Sequence, residues 1–357
     1  LEAMLPESGH GEDTGSQARF ICSANFSFAP YAQEELRRLF GSLKSTMLVP
    51  GEIFLVTLPA ESTDVVKRLQ EHPVMFLRHL FPVQYQEPVE DAVSALEQLT
   101  KYVLGQHKKL QGRRISIQVR KTKDSTYWAE SAGALKQAIT DRLSELQAEF
   151  TVREADYILS VLADGPVWYA GLSEPADNLS DWNGGAIRFQ KEEGQVSRAK
   201  FKLLEAAEQF GIDFTAYRNA LDIGAAPGGW TSFLLERGVK VTAVDPAKMD
   251  PTVMSMPNLT YLRKNAGEVR FREQQFDLLV CDMSWSPKQM AKLVTNLLYS
   301  LVSGGTAIVT VKLMHKKPLA LIQDVISAFE EAGMQVQRAK QLFHNRDEIT
   351  LYMIKYL

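Results

Sequence analysis

Apolar and polar positions follow two different grammars along this chain. From Arg19, RFICSANFSF and EIFLVTLP read as strands, YAQEELRRLF and STDVVKRLQ as amphipathic helices, and FLRHLFPVQYQ as a further strand. That order predicts a small α+β sandwich over 19–87, with helices on one face of an antiparallel sheet. A second unit is expected over 88–180. There DAVSALEQLTKYVLGQ predicts a helix, RRISIQVRKT a strand, SAGALKQAITDRLSELQ a long helix, and ADYILSVLADGPVWYAGLS a hairpin turning at its DG pair. EPADNLSDWNGG is crowded with turn formers and marks a boundary near residue 180.

Beyond Ser197 the pattern changes to short apolar strands alternating with helices. ALDIGA, VKVTAVD, LTYLR, FDLLVCD and TAIVTVK are rich in branched residues, and TSFLLERG, MAKLVTNLLYSL and ALIQDVISAFEEAG lie between most of them. This predicts an α/β fold over 181–357, a Rossmann-like doubly wound parallel sheet finished by the extended pair QVQRAKQLFH and EITLYMIKYL. Ligands of such sheets bind beyond the carboxyl ends of the strands.

Composition narrows the class. At 357 residues the chain is long enough for two or three cores. No run of about 18 apolar residues is present, so no membrane span is expected. The polar, acidic start LEAMLPESGHGEDTGSQ has no secretory pattern, and a disordered tail is expected over 1–18. The two cysteines, Cys22 and Cys281, are far apart and inside apolar runs, which supports neither a disulfide nor a metal site and makes a reducing cytoplasm the default. A net charge of −3 neither favours nor excludes nucleic acid, because one face can be basic when the whole is not.

The chemistry starts at LDIGAAPGGW. Its glycines let a ligand approach the backbone, and Pro227 stiffens the turn. Neither the dinucleotide pattern GxGxxG nor the phosphate-loop pattern GxxxxGK[ST] is present. Asp245 ends the next strand, placed to take a ribose diol. A diol acceptor and a glycine turn without a phosphate cradle suit S-adenosylmethionine, with Gly224, Ala226, Pro227, Gly228, Gly229, Trp230 and Asp245 as candidate cofactor contacts.

DIGAAPGGW followed by VDP, CDMS and VKL resembles the FtsJ-type ribose 2′-O-methyltransferases from about Ser197 to the C-terminus, and SRAKFKLLEA resembles that family's SRAxxKLxE helix. GAAPGGWTSFLLERG, NRDEITLYMI and NLSDW are similar to the RlmM-type bacterial enzymes, which methylate a ribose of 23S ribosomal RNA. The resemblance implies a catalytic Lys-Asp-Lys-Glu tetrad at Lys202, Asp282, Lys312 and Glu348. A ribose hydroxyl is a poor nucleophile and needs in-line placement and a proton acceptor. A lysine accepts a proton only if its charge is disfavoured, by a second ammonium or by burial. The expected roles are Lys312 as base, Lys202 as the neighbour that disfavours its charge, Asp282 as the carboxylate holding Lys312, and Glu348 as the group orienting Lys202 or the ribose. Carboxylates oppose the shift, so sequence does not give its sign.

Asn265 stands where relatives carry Asp to read the adenine amine; its carbonyl can accept the same hydrogen bond, without charge. Asp282 is a further cofactor candidate. Ser197 has two readings, a contact to the methionine end or a helix N-cap. Cys281 lacks the preceding proline of cytosine methyltransferase nucleophiles and reads as core. His315 and His344 have no metal-ligand companions and read as solvated or RNA-facing. The segment DMSWSP lacks the [ND]PP[YF] pattern of amine methyltransferases, which favours an oxygen acceptor; Trp285 within it reads as a base-stacking ring or a loop plug.

KYVLGQHKKLQGRRISIQVRKTK, 101–123, holds many basic residues and no acid, a stripe suited to phosphate contacts. The segments around it resemble a THUMP RNA-binding module, and the preceding sandwich resembles the ferredoxin-like domain that accompanies THUMP. Together these imply structured RNA as partner, 23S ribosomal RNA first. No DNA or membrane partner is expected, and protein partners are undefined. The competing expectations are a tRNA ribose methyltransferase, a base methyltransferase, and a non-catalytic ribosome assembly factor with a methyltransferase shell.

Overall fold

The computed structural model describes residues 15–122, 127–314 and 317–356. Most of the tail expected over 1–18, the end of the basic stripe at Lys123, and His315 lie outside the described residues. The chain divides into two compact units: Leu1–Cys22, Leu36–His72 and Leu80–Asn178 form one, and Ser23–Glu35, Pro73–His79 and Leu179–Leu357 form the other.

The first unit is built on two sheets. Strands β1 (Ala18–Ser23), β2 (Lys44–Val49), β3 (Ile53–Leu58) and β4 (His79–Pro82) form a sheet of order β2-β3-β1-β4; of the helices between them in sequence, α2 (Ser62–Glu71) belongs to this unit, and α1 (Ala29–Phe40) belongs to the second unit up to Glu35. Strand β2 is absent from the sequence expectation, because its exposed first half, KST, hides the apolar pattern. The single strand expected from FLRHLFPVQYQ is two: β4, and β5 (Tyr85–Pro88), which pairs in the other sheet. That second sheet has the order β5-β9-β8-β6-β7, from β6 (Arg114–Lys121), β7 (Glu149–Phe150), β8 (Tyr157–Asp164) and β9 (Val167–Ser173).

Helices α3 (Ala92–Leu104), α4 (His107–Leu110) and α5 (Ala132–Asp141) complete this part. Asp91 and Ser131 start α3 and α5 by accepting the Ser94 and Ala134 amides at 2.9 and 3.1 Å. The expected long helix over 131–147 stops at Asp141 and passes into a 3₁₀ turn that ends on left-handed Gln147. Leu99, Ile117, Leu135, Ile139 and Trp168 fill one core, each contributing about 1.5–3 kcal/mol by burial.

The second unit is the seven-stranded sheet β12-β11-β10-β13-β14-β16-β15. Its elements are α6 (Lys200–Phe210), β10 (Asn219–Ile223), α7 (Gly229–Glu236), β11 (Lys240–Val244), α8 (Pro251–Met254), β12 (Leu259–Leu262), β13 (Phe276–Cys281), α9 (Pro287–Leu297), β14 (Leu301–Lys312), α10 (Pro318–Glu331), β15 (Met334–Lys340) and β16 (Glu348–Lys355). β10 pairs in parallel with both β11 and β13, so the strand order reverses at β10 and opens a crevice beyond its carboxyl end. β16 runs antiparallel to β14, which sets its first residue, Glu348, opposite the last residue of β14, Lys312. That reversal brings a carboxylate from the chain's last strand to the carboxyl edge of the parallel strands.

Candidate active site

Six of the residues singled out in the sequence, Trp285 among them, line one cleft at that edge. Gly224, Ala226, Asp245, Asn265 and Asp282 surround about 310 Å³ together with Val244, Met283 and Trp285. Gly224 is needed here for two reasons. Its φ is +71°, and a Cβ on it would come within 2.2 Å of the Met283 Cγ. Gly224→Val is therefore expected to weaken S-adenosylmethionine binding and to cost at least about 1–3 kcal/mol of stability, read by calorimetric titration and thermal melting. Normal binding and melting would contradict this packing.

Asp245 shapes the turn from below. One of its carboxylate oxygens accepts the Ala226 amide at 3.1 Å and the other accepts Ala247 at 2.7 Å. Each oxygen keeps a lone pair for a diol hydroxyl. The Asn265 side chain is exposed and makes no hydrogen bond among the described residues, so its amide is available to a purine edge. Trp285 is 46% exposed at the same cleft and plugs nothing.

The other turn residues lie outside this lining. Gly228 and Gly229 begin α7, and a Cβ on Gly229 would touch Ser197 at 3.0 Å. Ser197 accepts the Ala199 amide at 2.9 Å, a turn before the helix; α6 itself starts at Lys200. Trp230 faces inward, buried in the core, with its indole N–H donating to the Ala199 carbonyl at 2.8 Å. Pro227 is exposed.

Below the turn lies an acid the sequence reading passed over. Asp222, on β10, is buried and accepts the Thr231 hydroxyl at 2.6 Å. Burial, reinforced by the Asp282 and Asp245 charges, pushes its carboxyl up to about 7. A carboxyl whose folded value lies above its unfolded value stabilises most below the unfolded value, and that stability is lost as pH rises through the folded one. Between about pH 4 and 7 the wild-type protein should therefore lose stability relative to Asp222→Asn, which keeps an oxygen for Thr231. Melting curves of the two proteins across that range check this; a pH-independent difference would refute it.

Lys202, Asp282 and Glu348 form a closed ion cluster. The Lys202 Nζ donates to both Asp282 oxygens at 2.9 and 3.1 Å and lies 2.5 Å from Glu348 Oε1. Burial works against its charge, but Asp282 and then Glu348 outweigh it, and its pKa is raised. Thr310, buried on β14, donates to Asp282 at 2.8 Å and fixes its rotamer. The expected pairing of Asp282 with Lys312 is not what the structure holds: Asp282 is taken by Lys202, and Lys312 makes no ion pair among the described residues. Lys200, two residues earlier, points elsewhere and is held by Glu192 and Glu236 at 2.9 and 2.8 Å. Helical spacing separates the two lysines of SRAKFK, one toward the cluster and one toward α7.

Cys281 is fully buried, its thiol pushed up by burial, and belongs to the core as expected. His344 differs from its expectation as a solvated or RNA-facing ring. It packs between Phe189 and Phe201 with Nε2 2.9 Å from the Ile187 carbonyl, and burial lowers its pKa.

Residues 195–335 match the sequence profile of the FtsJ-like methyltransferase family. They are an FtsJ-like methyltransferase domain. S-adenosylmethionine is the methyl donor of this family, and the cleft's donors and acceptors fit it. The chain is 35% identical over 174 residues to "Ribosomal RNA large subunit methyltransferase M" of Halorhodospira halophila, an alignment that spans only 48% of this chain and 50% of that relative. Proteins of the same name match over most of both chains: 29% identity over 88% of each in Psychromonas ingrahamii, and 27% over 89% of each in Citrobacter koseri. The match to the FtsJ-like domain begins two residues before Ser197 and contains the turn, Asp245, Asn265 and three of the four tetrad positions; Glu348 lies beyond it, on β16.

Proposed function

We propose that the protein transfers a methyl group from S-adenosylmethionine to a ribose 2′-hydroxyl of large-subunit ribosomal RNA, 23S in bacteria. The observation that carries this reading is the Lys202–Asp282–Glu348 cluster, with Lys312 opposite Glu348, at the edge of the cleft lined by Asp245 and Asn265. The alignments over 88–89% of both chains to proteins named for large-subunit ribosomal RNA support the choice of RNA.

Asp245 would hold the cofactor's ribose diol and Asn265 its adenine edge, with the Gly224–Ala226 backbone along its side. Bound there, S-adenosylmethionine supplies an electrophilic methyl on a sulfonium. Lys202 is held charged by its two carboxylates and gives the incoming hydroxyl a fixed positive charge to lie against. Lys312, which carries no ion pair among the described residues, accepts the hydroxyl proton as the oxygen attacks. Glu348 and Asp282 keep Lys202 in place and offset its charge.

The first unit would grip the RNA while the second reacts with the ribose. Lys101, Lys108, Lys109 and Arg113 of the basic stripe are exposed, in keeping with phosphate contacts. The resemblance of 88–180 to a THUMP module and of 19–87 to a ferredoxin-like domain supports the same role. No helix among the described residues is long and apolar enough to cross a membrane.

The test is methyl transfer in vitro with purified protein, S-adenosylmethionine and unmodified 23S ribosomal RNA. Label in alkali-resistant dinucleotides is the expected product, since a 2′-O-methyl group blocks cleavage of the next phosphodiester. Label found only on bases would overturn the reading.

A further inference from the structure

The tetrad's fourth member is held from far away in sequence. Glu348 follows directly on the loop 341–347, and every polar atom of Asn345 in that loop is engaged. The Asn345 side chain is buried; its Oδ1 accepts the Leu342 amide at 2.8 Å and the Thr350 hydroxyl at 3.0 Å, and its Nδ2 points at Glu348 Oε1 at 3.4 Å. That Glu348 oxygen is the one paired with Lys202. With its acceptor side occupied on two sides, the amide cannot flip, so Nδ2 always faces the carboxylate.

The loop is braced by residues from the N-terminal part of the chain. Asn25, buried just after β1, donates through Nδ2 to both the Leu342 and Asn345 carbonyls at 2.9 Å, and its Oδ1 accepts from Arg78 at 2.9 Å. The Arg78 guanidinium also donates to Gly184 and lies over the Phe343 ring. Glu35 accepts the Met75 and Phe76 amides, each at 2.8 Å, and the Met75 carbonyl in turn takes the Gln341 amide at 2.9 Å. From the domain's own side, Glu205 of α6 accepts the Phe343 and His344 amides at 2.7 and 2.9 Å. These contacts all fall within the second unit, which takes Ser23–Glu35 and Pro73–His79 from the N-terminal part of the chain.

We infer that Asn345, fixed by Asn25, is a positioning residue for Glu348, and that the segments Ser23–Glu35 and Pro73–His79 are a working part of the methyltransferase centre. The inference rests on the methyl transfer proposed above. Without the Asn345 amide, Glu348 loses its second hydrogen-bond donor and is free to swing off Lys202, leaving that lysine under Asp282 alone. The brace also explains an economy of sequence: Glu205 in the SRAKFKLLEA helix and Asn345 in HNRDEITLYM lie in motifs whose lysine and glutamate meet in the cluster.

The experiment uses the full chain with Asn345→Asp and Asn25→Asp. Asn345→Asp keeps the acceptor for Leu342 and Thr350 but replaces the donor facing Glu348 by a second carboxylate. Its kcat is expected to fall about tenfold or more with KM for S-adenosylmethionine and RNA unchanged, and the acid limb of its pH–rate profile to move upward under the added negative charge. Asn25→Asp, which touches no tetrad member, should lower kcat in the same direction. A crystal structure of Asn345→Asp gives a readout independent of turnover, with the Lys202–Glu348 separation expected beyond about 4 Å. A folded Asn345→Asp with an unchanged ion pair, or with kcat within about twofold of wild type and an unmoved acid limb, overturns the inference. If Asn345→Asp fails to fold, Asn25→Asp decides by the same readouts, and failure of both to fold also overturns it, because the pair would then hold the fold and not the carboxylate. A wild-type protein that forms no 2′-O-methyl product sinks the functional reading instead, whatever the ion pair does.

Discussion

Lys312→Ala is expected to lower methyl transfer by about 10²–10⁴-fold while S-adenosylmethionine binding and melting temperature stay near wild type, the range associated with loss of a general base. The structural ground is the contrast between the two lysines. Lys202 carries both carboxylates, whereas Lys312, at the end of β14, carries no ion pair among the described residues. Removing Lys312 therefore breaks no ion pair among the described residues. Lys312→Arg should be nearly as inactive, since guanidinium stays protonated and cannot accept the hydroxyl proton. Single-turnover rates with bound RNA, beside calorimetric titration of the cofactor, separate this outcome from a binding defect. A Lys312→Ala protein with near-normal turnover would remove Lys312 as the base.

Lys202→Met should fail in a different way, in both activity and stability. It leaves Asp282 and Glu348 facing each other at a site where their side chains are only 18% and 10% exposed. Breaking a pair this enclosed by deleting one partner costs about 1–3 kcal/mol, less than a fully buried pair because solvent still reaches it. The sign with pH follows from the raised value of Lys202. Its contribution is complete below the unfolded lysine value of 10.5 and is lost only as pH rises through the higher folded value. The stability deficit of Lys202→Met should thus be full at neutral pH and should close only in strong alkali. Denaturant melts at pH 7 and pH 11 test this, and a variant that melts with wild type at pH 7 would mean that the cluster holds nothing together. Its turnover should fall by about 10²-fold or more, because the cluster beside the hydroxyl loses its fixed positive charge.

The parts of this site that sequence made legible are those set by strand periodicity. FDLLVCD and TAIVTVK each end an apolar run in a charge, and a doubly wound sheet places such ends at one edge, which is where Asp282 and Lys312 stand. The pairing within the tetrad was not legible. Whether Asp282 holds Lys202 or Lys312 depends on the direction in which α6 presents its side chains to β13, and on Thr310 fixing the carboxylate from β14. Asp222 was missed because a carboxylate inside LDIGAAPGGW reads as part of a turn motif, while its chemistry comes from complete burial against Thr231. Strand β2 and the split of FLRHLFPVQYQ were hidden for similar reasons, since a half-exposed edge strand and a strand that changes sheets leave weak apolar patterns. Asn25 and Asn345 were invisible because their partners are backbone carbonyls and amides brought together only by folding.

The central claim is that this chain places one methyl group on one ribose of large-subunit ribosomal RNA, with Lys312 as the proton acceptor. Ribose-methylation mapping of total RNA tests it most directly, comparing cells that carry the gene, cells that lack it, and cells that carry only Lys312→Ala. The account predicts a single 2′-O-methyl mark in 23S ribosomal RNA that is present in the first and missing from the other two. A complete set of ribose marks in cells lacking the gene would contradict it.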